Sequence, residues 1–302
     1  MRELDCLVIG AGIAGITAGI YLKRGNAVSL VLDKDAPGGK LNNIHRIDNY
    51  PGEASIAGPD LSMKLFSQAT SLNVEFGYDV IVELKKEGNR FKVTGEEGTY
   101  LAKAVIVATG IENKKLDVPG EATFNGRGVS YCATCDGNFF KGQDVVVYGY
   151  KDHAVEDAIY LASLAKTVYL LSPNPLETTE SHEVELASLP NAKIITGVKL
   201  KRICGENKVS GVIFEKGGVE EELPCAGVFQ LFGEKSSSQF LSSLGVDSNK
   251  GFIKVDSACQ TNVPGLFAAG DVIDKRLRQL VNAAGEGAVA ASMALSYIRG
   301  VK

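Results

Sequence analysis

The sequence predicts an α/β protein built around two strand–turn–helix units of the nucleotide-binding kind, and three observations carry that prediction. An apolar run, a glycine turn and a helix-compatible stretch follow one another at residues 4–24. The same succession returns about 140 residues later, at residues 144–165. Between the two lies Cys132-Ala-Thr-Cys135, followed by Asp136. Repeated strand–turn–helix units separated by short strands are the pattern of doubly wound sheets.

Taken in order, Leu4–Ile9 reads as a buried strand, Gly10–Gly15 as a turn, Ile16–Arg24 as a helix and Val28–Leu32 as the next strand. Pro37-Gly-Gly and Tyr50-Pro-Gly mark loops. Asp60–Leu72 has helical spacing behind an acidic N-cap candidate, and short alternating strands fill Val74–Val107. The polar stretch Ile111–Arg127 reads as a crossing between domains. The second unit comprises strand Asp144–Tyr148, helix Ala154–Ala165 and strand Thr167–Leu171. Lys193–Ile195, Lys208–Phe214, Gly227–Leu231, Gly251–Val255 and Gly265–Ala269 read as further strands, and Glu234–Ser243 as a second crossing. Gln279–Arg299 is a long helix rich in Ala and Gly, suited to close packing. The expected domains are residues 1–113 with 243–302, and 114–242 inserted between them.

The 302 residues are 45% hydrophobic and 23% charged with a net charge of −4, a soluble globular balance with no basic footprint for nucleic acid. The uncharged stretch at residues 6–22 is a little short of the ~20 residues a membrane span needs. It also holds four glycines, and Arg2, Glu3 and Asp5 make a poor leader. No membrane or targeting segment is therefore expected, and the cytoplasm is the expected compartment. Of six cysteines, only Cys132 and Cys135 are closely spaced. The others read as small buried hydrophobes.

Gly10-x-Gly12-x-x-Gly15, with Ala14 inside it, follows a strand and opens a helix. Its glycines serve the tight turn, the approach to a pyrophosphate and helix–strand packing. Asp33 stands at the end of the next strand, where a carboxylate can accept from ribose hydroxyls. Ala108-Thr109-Gly110 and Ala269-Gly270-Asp271 end two further strands, at the sheet edge where ligands collect. The two thiols can close and reopen a small disulfide, and Asp136 can move the proton that exchange needs. A zinc half-site would need two more ligands at matching spacing, and neither Cys204, Cys225 and Cys259 nor His153 supplies them. No metal is expected.

Gly10-x-Gly12-x-x-Gly15, Pro37-Gly-Gly-Lys-Leu41, Asn49-Tyr-Pro-Gly52, Ala108-Thr-Gly110, Cys132-Ala-Thr-Cys135-Asp136-Gly137 and Gly265-Leu-Phe-Ala-Ala-Gly-Asp271 occur in this order over nearly the whole chain. Together they resemble the low-molecular-weight thioredoxin reductases, which are flavoproteins. The resemblance implies two Rossmann-like domains: a discontinuous FAD domain and a central domain carrying the disulfide. It implies that Gly38, Gly39, Lys40, Leu41, Asn49, Thr109, Asp271, Arg278 and Gln279 line FAD, with Lys40 where the family usually has Gln. It also implies that Cys135 faces the flavin, that Cys132 exchanges with thioredoxin, that Asp136 protonates the leaving thiolate, and that the protein is a homodimer.

The second glycine turn departs from the pattern. In Gly149-Tyr-Lys-Asp-His-Ala154 the middle glycine is Lys151, whose side chain intrudes where backbone should approach pyrophosphate. After the next strand the family carries a His-Arg-Arg run for the NADPH 2′-phosphate. Here Ser172-Pro-Asn174 stands instead, and no Arg lies between Arg127 and Arg202. Nor does an acid end that strand to favour NADH; Glu177 comes only after two prolines. NADPH is therefore not expected. The pattern resembles the ferredoxin-dependent branch of the family, and a deazaflavin-dependent branch looks similar. Ferredoxins are acidic, and Lys275, Arg276 and Arg278, with Lys114 and Lys115, form the candidate docking charge. The competing readings are an NADPH-dependent thioredoxin reductase, a flavin dithiol oxidase and a flavin-binding redox sensor.

Overall fold

The structure, a computed structural model, describes residues 1–44 and 46–300. These form two compact units, Met1–Glu112 with Lys235–Lys302, and Asn113–Glu234. The first unit begins with β1 (Arg2–Ile9), α1 (Ile13–Arg24), β2 (Ser29–Asp33), α2 (Gly58–Ser71), β3 (Phe76–Tyr78), β4 (Ile81–Glu87), β5 (Arg90–Gly95) and β6 (Thr99–Val107). A crossing strand, β7 (Ile111–Asn113), leads to the second unit. That unit runs β8 (Val129–Ser130), α3 (Ala133–Asp136), β9 (Asp144–Tyr148), α4 (Asp152–Ala162), β10 (Thr167–Ser172), α5 (Glu180–Ser188), β11 (Ala192–Thr196), β12 (Val198–Gly205), β13 (Val209–Lys216), β14 (Val219–Pro224) and β15 (Gly227–Gln230). The chain returns through β16 (Glu234–Ser236), which pairs with β7, and finishes with β17 (Ser248–Asn249), β18 (Phe252–Ile253), β19 (Leu266–Ala268) and α6 (Leu280–Arg299).

In the first unit the sheet order is β3-β2-β1-β6-β5-β4, and β19 also pairs with β6. β6 is long enough to carry β1 along one edge and two partners on the other. β5 pairs antiparallel with its first half and β19 parallel with its last residues. Ile9, Val107 and Ala268 thus lie in register, and three strands release their chains at one sheet edge. Cys6–Ile9 and Ala102–Val107 are apolar almost without interruption because both faces of the sheet are covered.

One cover is α1 packed on α6. Small residues bring them together: Ala14, Ala18, Ala290, Ala291 and Ala294 are all buried. Gly287 permits the closest approach, because a Cβ there would overlap the backbone of Ala14.

In the second unit the parallel sheet runs β11-β10-β9-β15-β8, and β12-β13-β14 form a separate antiparallel meander. α4 packs Val155, Ala158 and Leu161 against Val145, Val147 and Leu170.

The elements depart from the sequence reading in identifiable places. α1 starts at Ile13 rather than Ile16, because Gly12 is its N-cap and the glycine motif includes the first helical turn. The return crossing is a strand at Glu234–Ser236, so Ser237–Ser243 belong to the first unit. α5 has no counterpart among the elements the sequence predicts; Thr179 caps it, accepting the His182 N–H at 3.3 Å. The uncharged stretch at residues 6–22 is the end of β1, the turn and most of α1, and among the described residues no helix is long and apolar enough to cross a membrane.

Replacing Gly287 by Ala is expected to destabilise the first unit by about 1–3 kcal/mol, the usual cost of overpacking. A chemical-denaturation midpoint equal to that of the parent protein would show that α1 and α6 do not pack this closely.

Candidate active site

The first glycine turn is built for an anion. Gly10 lies at φ +108°, and a Cβ there would overlap the Ala108 carbonyl at the end of β6. Gly12, the N-cap of α1, has nothing within 4 Å of where its Cβ would stand. Among the described residues no side chain caps α1, and its first turn carries no acid. The N–H groups of its first turn stand at the positive end of the helix dipole, where an anion is favoured. Asp33 holds the turn in shape: its Oδ2 accepts the Ala11 N–H at 2.5 Å and its Oδ1 the Asp35 N–H at 2.9 Å. Each oxygen keeps a second lone pair with which a ribose hydroxyl could bond.

Other expected residues come to the same edge. Gly38 donates to the Ala11 carbonyl at 2.7 Å, and Gly39 packs against Gly12. Thr109, Gly110, Gly270 and Asp271 emerge just past the paired ends of β6 and β19. Gly270 sits tightly on the Ala14 methyl. The Asn49 amide donates to Gln279 Oε1 at 3.0 Å, joining positions 230 residues apart. The Arg278 guanidinium stands 4.4 Å from the Phe252 ring centre. Lys40 is exposed, whereas Leu41 is 1% exposed and part of the core. An uncapped helix start, space over Gly12 and a carboxylate at the end of β2 fit a dinucleotide such as FAD.

The basic docking cluster needs correction. Lys275 is not a free surface charge: its side chain is only 10% exposed, with Nζ 2.7 Å from Glu286 Oε2 and 3.5 Å from Asp271 Oδ1. Glu286 Oε2 also accepts the Gly270 N–H at 2.9 Å. Lys275 thus neutralises two acids beside the sheet edge. Lys114, Lys115 and Arg276 are exposed.

Cys132 and Cys135 form a disulfide at the start of the four-residue helix α3. Cys132 is the N-cap, and its Sγ accepts the Cys135 N–H at 3.2 Å. The same bond would stabilise a thiolate on Cys132 after reduction. Buried Ser130, at the end of β8, donates its hydroxyl to Asp136 Oδ2 at 2.6 Å and accepts the Cys132 N–H at 3.1 Å. Glu121, 4% exposed, accepts the N–H groups of Leu116 and Asp117 and the Tyr131 hydroxyl, the last at 3.0 Å. Burial, and then the Glu121 charge, push the Tyr131 phenol up. Burial likewise raises the Cys225 thiol to about 12 and the Cys259 thiol to about 11, leaving both inert near neutrality.

At the second glycine turn Lys151 takes the N-cap place of α4 that Gly12 takes for α1, with similar extended backbone. Its ammonium lies 5.6 Å from the Tyr150 ring centre. The greater difference stands in front of the helix. Asp152, the first residue of α4, accepts the Thr178 hydroxyl at 2.5 Å and the Thr179 N–H at 3.4 Å, and its Oδ1 is 2.8 Å from His182 Nδ1. Glu156, one turn on, lies 3.8 Å from His182 Nε2. The Glu177 N–H donates to the Tyr150 carbonyl at 2.7 Å. The segment from Glu177 to His182 is thereby clasped to the start of α4 through Tyr150 and Asp152. The Ser172 hydroxyl, at the end of β10, turns back to the Asn174 carbonyl at 2.5 Å.

Sequence reasoning misses Thr178, His182, Ser130 and Glu121. For the clasp a signal exists: Thr178-Thr179-Glu180 reads as a helix start. The Thr178 hydroxyl and then His182 hold the Asp152 carboxyl below its ordinary range, and Asp152 raises the His182 imidazole. Ligand-capable atoms of Asp152, Glu156 and His182 lie within 4.8 Å of one another, a spacing their mutual bonds already account for.

A family model described as pyridine nucleotide-disulphide oxidoreductase matches residues 4–287. The chain belongs to this family. Within it the chain groups with the thioredoxin reductases, which are flavoprotein disulfide oxidoreductases. The thioredoxin reductase of Bacillus subtilis is 39% identical, over 97% of this chain and 94% of that protein. The solved thioredoxin reductase of Streptococcus pyogenes is 37% identical, covers 99% of each chain and superposes with a TM-score of 0.95. A ferredoxin-flavin thioredoxin reductase from Clostridium acetobutylicum is 31% identical over 99% of each chain, with a TM-score of 0.56. Among the described residues this oxidoreductase has one disulfide, Cys132–Cys135.

The clasp has a pH signature. His182 has a raised folded-state value, so its contribution is fully present below the ordinary 6.5 and fades as pH rises through the raised value. An NMR titration of the imidazole is expected to show a midpoint above 6.5, falling toward it in Asp152→Asn. The same midpoint in parent and variant would show that the two side chains do not pair.

Proposed function

We propose that the protein is a thioredoxin reductase that holds FAD on its first nucleotide fold and accepts electrons from reduced ferredoxin rather than from NADPH. The observation that carries the donor reading is the clasped start of α4. A pyrophosphate there would meet the Lys151 side chain and the Asp152 carboxylate, and Thr178, Thr179 and His182 already hold that carboxylate in place. A helix start that carries its own anion gains little from binding a second one. The absence of Arg after β10 supports the same reading, since a 2′-phosphate would lack its bidentate partners. Similarity to the clostridial ferredoxin-flavin enzyme supplies the donor class, and exposed Lys114, Lys115 and Arg276 supply positive charge for an acidic partner.

FAD can collect electrons singly and deliver them as a pair to a disulfide. The first turn, Gly10 to Gly15, would bind its diphosphate through the α1 N–H groups, with Asp33 bonding to ribose. Gly38, Gly39, Lys40, Asn49, Thr109, Asp271, Arg278 and Gln279 would surround the rest. Cys135 takes the flavin-facing role and Cys132 attacks the thioredoxin disulfide. Asp136 protonates the leaving thiolate. The Cys135 N–H on Cys132 Sγ favours Cys132 as the attacking thiolate.

A second reading, NADPH as donor, is favoured by the family's description as pyridine nucleotide-disulphide oxidoreductases. It is also favoured by higher identity to proteins named simply thioredoxin reductase, 39% against 31% for the ferredoxin-flavin enzyme.

Anaerobic flavin absorbance separates the two. Reduced ferredoxin is expected to bleach the flavin, and excess NADPH to leave it oxidised. Rapid bleaching by NADPH would overturn the donor reading while leaving the thioredoxin reductase intact. Cys132→Ser and Cys135→Ser are each expected to retain FAD and lose thioredoxin reduction. Full turnover in either variant would remove the dithiol from the pathway.

A further inference from the structure

We infer that Ser130 is a positioning residue that holds the Asp136 carboxyl against the Cys132 backbone and sets the pH at which it exchanges protons with the dithiol. The inference rests on the proposed acid–base role of Asp136.

The geometry fixes the direction of each bond. The Cys132 N–H, 3.1 Å from Ser130 Oγ, can only donate, so the hydroxyl accepts there. Its single proton then has two acceptors within reach, Asp136 Oδ2 at 2.6 Å and the Cys132 carbonyl at 3.3 Å. The shorter contact has the length of a charge-assisted O–H···O bond to a carboxylate. When Asp136 carries a proton, it can donate to Ser130 Oγ, and the hydroxyl proton can rotate to the Cys132 carbonyl. Both protonation states therefore find partners through one rotor. Ser130 is 4% exposed and lies on β8, where β15 pairs with it through Phe229. Its hydroxyl is anchored in the sheet, whereas Cys132–Asp136 form the turn that must change during turnover.

The interchange balances as follows. A Cys132 thiolate bonds to one thioredoxin sulfur as the thioredoxin S–S bond breaks, and the departing thiolate takes a proton. The Cys135 thiolate then bonds to Cys132 Sγ, the mixed disulfide breaks, and the second thioredoxin thiolate takes a proton. Two electrons and two protons pass from the dithiol to thioredoxin. Asp136 takes a proton from a thiol of the pair and gives it to a leaving thiolate, so its proton affinity enters the rate. A donor to its carboxylate favours the charged form, and removing that donor raises the affinity.

Titratable groups on the surrounding elements are Cys132, Cys135, Tyr131 and Glu121 on the segment around the turn, and His153, Glu156, Asp157 and Tyr160 on α4, which packs against α3. All remain when Ser130 is changed, so a shift between variants reports the Ser130 bond.

The test uses FAD-loaded protein reduced chemically, then mixed anaerobically with oxidised thioredoxin in single turnovers across a pH series. No physiological donor is needed. Ser130→Ala is expected to move the acidic limb of the rate up by about one pH unit, so that interchange slows up to roughly tenfold on the acid side of the limb and is little changed on its plateau. Ser130→Thr, which keeps the hydroxyl, is expected to return the limb toward that of the parent, and Asp136→Asn to abolish it. Ser130→Gly serves if Ser130→Ala does not fold, with flavin absorbance as the check. A limb unmoved in Ser130→Ala, or a uniform slowing at every pH, alongside an impaired Asp136→Asn would overturn the role of Ser130. An unimpaired Asp136→Asn would overturn the acid–base role itself, and this inference with it.

Discussion

An α-helix begins with N–H groups that nothing inside the helix can satisfy, and the chemistry of each unit depends on what meets them. At α1, among the described residues, no side chain answers them. Gly12 contributes no side chain, the first turn has no acid, and Asp33 is turned to the backbone of Ala11 and Asp35. At α4 no side chain caps the first turn either, among the described residues, but its first residue is Asp152, an acid held by Thr178, Thr179 and His182. The two helix starts have similar backbone. What distinguishes the two helix starts is a handful of side chains and the path of one short segment.

The dithiol turn obeys a related constraint at smaller scale. A four-residue helix has little cooperativity of its own, so its geometry must be imposed from outside. Ser130 on β8 and buried Glu121 do this, one bonded to Asp136 and to the Cys132 N–H, the other to Tyr131 and the backbone of Leu116 and Asp117. Ala133 adds an apolar anchor at 1% exposure. The sulfurs are thereby presented on a turn whose flanks are fixed and whose own hydrogen bonds are few.

Much of this is legible in the sequence, for reasons specific to certain residues. Gly10, Gly12 and Gly15 can be read because backbone that must bend sharply or admit a ligand leaves glycine at fixed spacing. Lys151 can be read as a loss because the missing glycine occupies a position with a known task. The dithiol is legible because two thiols one helical turn apart can close on each other without any help from the rest of the fold. Ser130 and Glu121 are not, since a lone Ser or Glu carries no periodicity and its partner is set by tertiary packing. Lys275 reads as surface charge because its neutralising acids, Asp271 and Glu286, lie four and eleven positions away in sequence and meet it only in space. α5 is obscured by the prolines ahead of it, although Thr179 announces its start.

The clasp at α4 also bears on how this protein can change over generations. Lys151→Gly alone would clear the volume for a diphosphate yet leave the Asp152 carboxylate in front of the helix. Asp152→Asn alone would remove the charge yet leave the long Lys151 side chain, and it would loosen Thr178 and His182 besides. On the proposed donor reading neither single step would open a nucleotide site, and no Arg follows β10 to hold a 2′-phosphate. Residues in one hydrogen-bonded network do not contribute additively. On the proposed donor reading the helix start acts as a ratchet: drift can tighten it one substitution at a time, while reversal requires several changes together before any of them is rewarded.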